Sequence, residues 1–227
     1  MIKKGFTDAI PVMLGYFPIA ITFGILAKTS GVDVFNGVFM SIFIYAGASQ
    51  FMAVSMINSQ IGLLSIIFAT FLMNFRHLVM SASMKMKLTK IDKKYYPIIG
   101  FLLTDETFSV LSMKKDLKSY KYLLSFQVFC YFSWILGTLT GYLTGMFIPV
   151  IIVSSLGIAL YALFIALIIP SWKKHNKAIV LSVSAGILNL LIQKFNLLNP
   201  SFSFIVSVIL ISIIGAVFIN DKKSKKF

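Results

Sequence analysis

Residues 61–84 read IGLLSIIFATFLMNFRHLVMSASM, an apolar run with Asn74, Phe75, Arg76 and His77 near its middle. About 20 apolar residues at 1.5 Å rise per residue cross a hydrocarbon core of roughly 30 Å. A chain in lipid must satisfy its own backbone polar groups, so this run predicts a spanning helix. Arg76 is the sole arginine of the chain. A second apolar run, residues 97–113 (PIIGFLLTDETFSVLSM), carries Asp105 and Glu106 at its centre. A charge at bilayer depth costs at least about 2.5–3.5 kcal/mol, so such charges are paired or functional. Opposite charges on two apolar runs predict an ion pair between Arg76 and Asp105 or Glu106.

The composition extends this reading to the whole chain. Its 227 residues are 58% hydrophobic and only 12% charged, with a mean hydropathy of +0.91. A soluble domain carries about 25% charged residues. The chain therefore reads as an all-α, polytopic membrane protein with a single transmembrane domain over residues 1–227. The net charge of +14 does not indicate nucleic acid, because the lysines cluster beside apolar runs. Anionic headgroups and the positive-inside bias select that placement. A single cysteine, Cys130, excludes an intramolecular disulfide and a cysteine metal cage; inside an apolar run it reads as a small packing residue. His77 and His175 have no metal-ligand spacing, and no cofactor is expected. Lys3 and Lys4 before an apolar stretch mimic a signal peptide. Pro11, Gly15 and Pro18 interrupt that stretch and no small-x-small site follows, so a retained first segment is expected.

Eight apolar segments stand out: 10–27, 35–57, 61–84, 97–113, 122–147, 148–170, 178–193 and 202–219. They predict about six to eight transmembrane helices. The first and fourth segments are irregular, one through Gly15, Pro18 and Gly24, the other through Pro97 and Thr104-Asp105-Glu106. Both carry a related phrase, Tyr16-Phe17-Pro18-Ile19 and Tyr95-Tyr96-Pro97-Ile98. An offset of three segments makes an inverted repeat, and interrupted helices at matching positions point to a transporter site. If all eight segments span, the cluster Lys85, Lys87, Lys90, Lys93 and Lys94 faces away from the other lysines. If segments one and four are re-entrant, every lysine cluster shares one side. Both arrangements stay open at this point.

Polar residues inside the runs are the candidate site. On a helix, Thr70, Asn74, His77 and Ser81 share one face, which also suits a polar seam between helices. In segment two, Ser41, Tyr45, Ser49 and Met52 share a face, while Ala46, Gly47 and Ala48 permit close helix approach. Asp105 and Glu106 are adjacent, so both face one point only where the helix breaks.

Four phrases then stand in order: GYFPIAITFG (15–24), YAGASQF (45–51), NFRHLVM (74–80) and LTDETF (103–108). Together they resemble the AzlC family, the large subunit of branched-chain amino acid exporters. The resemblance implies a multi-pass protein of the cytoplasmic membrane that exports leucine, isoleucine, valine or related amino acids. It also implies a small AzlD-like membrane subunit as partner, and no enzymatic activity.

A zwitterion suits the candidate residues. Asp105 or Glu106 would meet the ammonium; Arg76, or backbone N–H groups where segment one breaks, would meet the carboxylate. The candidate substrate-binding residues are Gly15, Pro18, Gly24, Tyr45, Ser49, Gln50, Asn74, Arg76 and Asp105. His77, Asp105 and Glu106 are the candidate proton carriers. The sequence has no GxxxxGK[ST] motif, so an ion gradient, most simply protons, would supply the energy. A channel or a non-transporting accessory subunit is the competing reading. An intramembrane enzyme is more remote, since Ser49 and His77 are the tempting pair and GASQ is no GxSxG elbow.

Overall fold

The computed structural model describes residues 1–114, 117, 119–147, 165, 169, 176–198 and 200–218. The chain forms two compact units, Met1–Phe164 and Ile165–Phe227. Segment six apart from residues 165 and 169, together with Lys115, Lys118, Lys173, Lys174, His175 and the lysines after 218, lies outside the described residues.

In the first unit, α1 (Ile2–Thr29) is one continuous helix, with Pro11 and Pro18 inside it. This corrects the expectation that segment one is broken or re-entrant. Proline removes one backbone N–H, but in a membrane helix neighbouring groups make up the loss. Here Ser133 Oγ of α7 donates to the Met13 carbonyl at 3.1 Å, beside the Leu14 carbonyl that Pro18 leaves without its helical donor.

The partner of α1 is α7 (Tyr120–Thr144), and the two are in register along their length. Gly5 abuts Tyr122 and Phe126, Phe17 and Ala20 abut Gly137, Ile21 abuts Gly141, and Ile25 abuts Gly145. The numbering rises together, so the two helices run parallel. Glycines four residues apart let the backbones touch. A Cβ at Gly24 would stand 2.1 Å from the Thr138 carbonyl oxygen, and one at Gly141 2.1 Å from that of Ile21.

Segment two, expected as one helix, is two: α2 (Val34–Phe43) and α3 (Gly47–Asn58). Asp33 caps α2, accepting from Asn36 N at 3.0 Å. The Met40 carbonyl accepts from both Ile44 N and Tyr45 N, and Tyr45 turns to φ +46. This is a left-handed helix stop with tyrosine where glycine is usual. The chain then doubles back, and Gln50 Nε2 reaches Ser41 Oγ at 3.1 Å. In an unbroken helix those residues would lie about 13 Å apart along the axis.

Next comes α4 (Leu63–Lys87), a single helix of 25 residues. Its C-terminal end returns to the face where α1 begins. Lys87 donates to the Ser112 carbonyl, and Met84 and Leu88 join the core cluster that holds Ala9 and Val12. Its start therefore lies on the opposite face. Both ends of the α2–α3 pair sit there too, so this pair is a re-entrant hairpin.

The fourth segment repeats the device from the other side. After the 3-10 turn Lys93–Tyr95, α5 (Tyr96–Phe101) enters and α6 (Asp105–Met113) leaves. Tyr96 OH donates to the Leu88 carbonyl, and the Tyr95 ring stacks on Tyr120 at 4.3 Å. Lys114, just past α6, bonds Asp8 of α1 at 2.7 Å, and Tyr122 OH donates to the same carboxylate at 2.7 Å. The segment thus starts and ends on the face where α1 begins. In the loop, Asp92 caps the 3-10 turn, and the Lys94 backbone N–H and ammonium hold its carboxyl below the ordinary range.

The described part of the unit is thus a span plus a hairpin, followed by an inverted span plus hairpin, and then α7. The inverted character matches the expectation from sequence, but the phase does not. Tyr16-Phe17-Pro18 lies mid-helix in α1, whereas Tyr95-Tyr96-Pro97 opens a half-helix. The repeated parts are α1 with α2–α3 and α4 with α5–α6. The breaks fall in segments two and four, not one and four.

This topology places Lys3, Lys4, Lys85, Lys87, Lys90, Lys93, Lys94, Lys114 and Lys121 on one face, with Lys28 on the other. The positive-inside bias assigns the lysine-rich face to the cytoplasm. Three described helices are long and apolar enough to cross a membrane: Ile2–Thr29, Leu63–Lys87 and Tyr120–Thr144.

The second unit contains α8 (Asn176–Lys194) and α9 (Pro200–Phe218). They pack antiparallel: Ser203 Oγ donates to Asn189 Oδ1 at 2.5 Å, and Gly215 meets Leu181.

Cysteines at Gly31 and Gln60 are expected to react with an impermeant maleimide from one side, and a cysteine at Lys90 from the other. A continuous second segment would instead place Gln60 opposite Gly31. Gly141→Ala should lower stability by about 1–3 kcal/mol, the usual range for overpacking, read as a fall in melting temperature in detergent.

Candidate functional site

The hairpin tips meet midway along α1 and α7. The first tip is Tyr45-Ala46-Gly47; the second is Leu103-Thr104-Asp105. Both gather at Tyr16 of α1. Tyr16 OH donates to Glu106 Oε2 at 2.7 Å and is hydrogen-bonded to Thr104 Oγ1. Its ring meets Tyr45 edge-on at 6.4 Å and Trp134 at 5.5 Å.

Each broken helix exposes carbonyl groups that would be costly in lipid. Helix α7 supplies a donor to each. Tyr131 OH reaches the Ile42 carbonyl at 2.8 Å, and Gln127 Nε2 reaches the Ile99 carbonyl at 2.9 Å. These donors lie one turn apart on α7, which therefore holds both tips at the same depth.

The second tip is also capped from within. Thr104 and Thr107 form a reciprocal capping box, and Asp105 and Glu106 occupy the first turn of α6. Carboxylates there complement the positive end of the helix. The break turns the two neighbours apart. Asp105 Oδ2 pairs with Arg76 Nη1 of α4 at 2.7 Å, while Glu106 turns to Tyr16. The side chains of Arg76 and Asp105 are 33% and 26% exposed, so their pair is partly wet. Glu106 is 8% exposed.

The first tip is held by Gln50, which is wholly buried. Its Oε1 accepts from Ala46 N at 3.2 Å and from Trp134 Nε1 at 3.1 Å. The chain of polar contacts continues from Ser41 Oγ to Thr138 Oγ1 at 2.8 Å.

Between the tips lies a small cavity lined by Tyr16, Ile19, Tyr45, Ala46, Gly47, Ala48, Arg76, His77, Thr104, Asp105, Glu106 and Trp134. Its free space, about 20 Å³, holds about one water molecule. That space is too small for an amino acid, so a larger solute is accommodated only when the lining moves.

Of the residues singled out from sequence, Tyr45, Arg76, His77, Asp105 and Glu106 come together here. The others lie elsewhere. Gly24 packs on α7, and Pro18 sits within α1. Ser49 Oγ donates to the Ala46 carbonyl at 2.9 Å. Gln50 braces the tip, and the buried Asn74 Oδ1 has no hydrogen-bond partner. Gly15, also within α1, is not among the cavity's lining residues. Sequence reasoning missed Tyr16, Thr104 and Trp134 as site residues. A Thr-Asp-Glu-Thr string is an N-cap signal that marks Thr104. Nothing in the sequence marks Trp134.

The AzlC family model, described as AzlC protein, matches residues 11–148. This chain belongs to the AzlC family. It is 34% identical over 203 residues to an uncharacterized membrane protein of Archaeoglobus fulgidus, covering 88% of this chain and 86% of the relative. It is 27% identical to the inner membrane protein YgaZ of Escherichia coli, over 82% and 79% of the two chains. It is also 27% identical to the branched-chain amino acid transport protein AzlC of Bacillus subtilis, over 77% and 69%. No solved structure matches the chain. The family match runs through both hairpins, α4 and α7, so it covers the whole cavity lining.

Two substitutions probe the tips. Arg76→Ala strands the Asp105 carboxylate; its cost should fall between the ~1 kcal/mol of an exposed pair and the ~3–5 kcal/mol of a buried one. Arg76→Ala with Asp105→Ala should recover part of that loss in a thermal unfolding measurement. Tyr16→Phe removes a donor to a carboxylate and should cost about 1.5–3 kcal/mol.

Proposed function

We propose that the protein is a secondary transporter that exports branched-chain amino acids across the cytoplasmic membrane. Proton coupling and a small AzlD-like subunit complete this reading. The observation that carries it is the pair of inverted hairpins whose tips meet around Arg76, Asp105 and Glu106 at mid-membrane. Family membership supports a transport-related role, and the printed name of the Bacillus subtilis relative supports the substrate class.

The physical logic follows from the small cavity between the tips. Each hairpin enters from a different face. Displacing the α5–α6 tip opens the cavity toward the lysine-rich side; displacing the α2–α3 tip opens it toward the other. Rocking one repeat against the other is the general form of alternating access. Glu106 is the proton carrier best placed for coupling, because it bonds Tyr16 at the junction of both tips. His77 lines the same cavity. A substrate ammonium placed against Glu106 would compete with a proton there, which links the two fluxes.

Overexpression with the AzlD-like subunit should protect cells against a toxic leucine analogue and lower their internal leucine pool. Asp105→Asn with Glu106→Gln should reduce efflux roughly tenfold or more while the protein stays in the membrane. Undiminished efflux in that double variant would remove both acids from the mechanism.

A further inference from the structure

The two tips each present a helix N-terminus to the cavity, and they differ in one respect. The α6 N-terminus is filled by its own threonine cap and two carboxylates. The α3 N-terminus has no side-chain cap and no acid in its first turn. The first helical hydrogen bond of α3 is Gln50 N to the Ala46 carbonyl. The N–H groups of Gly47, Ala48 and Ser49 are therefore left without an intrahelical acceptor. Ala46, Gly47 and Ala48 line the cavity.

A second observation points to a ligand at this place. Tyr45 immediately precedes the tip, is 2% exposed and lines the same cavity. Among the described residues its hydroxyl closes no hydrogen bond, and its ring meets that of Tyr16 edge-on. A buried hydroxyl left unpaired is costly, and an incoming acceptor would recover that cost. Tyrosine also holds the left-handed conformation there, at φ +46. The backbone is kept close to the cavity by Gly47, where a Cβ would stand 2.7 Å from the Trp134 ring. Gln50 fixes the tip by bonding Ala46 N and Trp134 Nε1 together.

From this geometry we infer that the α3 N-terminus and the Tyr45 hydroxyl form the carboxylate subsite for an α-amino acid. This rests on the transport reading above and specifies its chemistry. Helix N-termini attract anions through free N–H groups and the helix dipole. Asp105 already balances the charge of Arg76 through Nη1, so Arg76, whose Nε has no partner among the described residues, assists at the carboxylate rather than neutralising it alone. The ammonium goes to the opposite tip, where Glu106 supplies the negative charge. The zwitterion thus bridges two hairpins that open to different sides. A ligand lacking either charge engages one tip only.

The test uses proteoliposomes holding the full chain with its AzlD-like subunit, and labelled L-leucine as the probe. L-Leucinamide, which lacks the carboxylate, and 4-methylpentanoate, which lacks the ammonium, serve as competitors. Ala48→Pro removes one free N–H in the first helical turn, where proline is tolerated. Tyr45→Phe removes the hydroxyl alone and keeps the test valid where the proline variant does not fold. Each variant should raise the half-saturating leucine concentration about ten- to a hundredfold and weaken inhibition by 4-methylpentanoate. Inhibition by leucinamide should not change. Unchanged leucine affinity in folded Tyr45→Phe and Ala48→Pro, with transport intact, overturns the subsite alone. An equal loss for leucine and leucinamide also overturns it, since that marks a structural role. No transport of any amino acid by the unaltered pair overturns the parent reading as well.

Discussion

Unsatisfied backbone groups are the constraint on which this structure depends. Lipid offers no hydrogen bonds, so a helix broken at mid-membrane survives only where protein supplies partners. Two breaks occur among the described residues, and each is answered by the same helix. Tyr131 and Gln127 of α7 reach the carbonyls at the ends of α2 and α5. Glycine contacts hold α7 against α1 along its whole length. The rigid α1–α7 pair is thus a frame, and the hairpin tips are set into it at fixed depth.

From that frame the site's electrostatics follow. A broken helix brings two termini to one point, and each terminus carries part of a charge. At the second tip the N-terminus is matched by Asp105 and Glu106, whose charges go to Arg76 and Tyr16. At the first it is left open. The cavity is therefore polar at both ends but asymmetric, with the acidic groups on one tip and free donors on the other. That is the pattern an amino acid's two charges require.

Much of this was legible in the sequence. The cost of a lone charge in lipid predicts a pair between Arg76 and Asp105 or Glu106, and the pair formed is Arg76 with Asp105. Segment four reads as irregular through Pro97 and Thr104-Asp105-Glu106, and its break falls just before Asp105. The lysine pattern left two arrangements open, and within the first unit the described clusters share one face, as the re-entrant arrangement has them. What the sequence misplaced was the other break. Pro11 and Pro18 suggested segment one, yet both sit in a continuous helix. Proline is a weak breaker where adjacent helices can serve the freed carbonyls. The true break follows Tyr45, which adopts a conformation usually taken by glycine. Its rings of support, Tyr16 and Tyr131, come from distant parts of the chain. A break stabilised by tertiary contacts leaves little local signal.

The central claim is that two hairpins enter from opposite faces and meet at Tyr16. An electron cryo-microscopy map of the protein in a lipid nanodisc, tracing the backbone of residues 34–58, tests it most directly. The account predicts that this segment turns back at Tyr45-Ala46-Gly47 and returns to the face it entered, with Tyr16 between the two tips. A single helix crossing the whole membrane over those residues would contradict it.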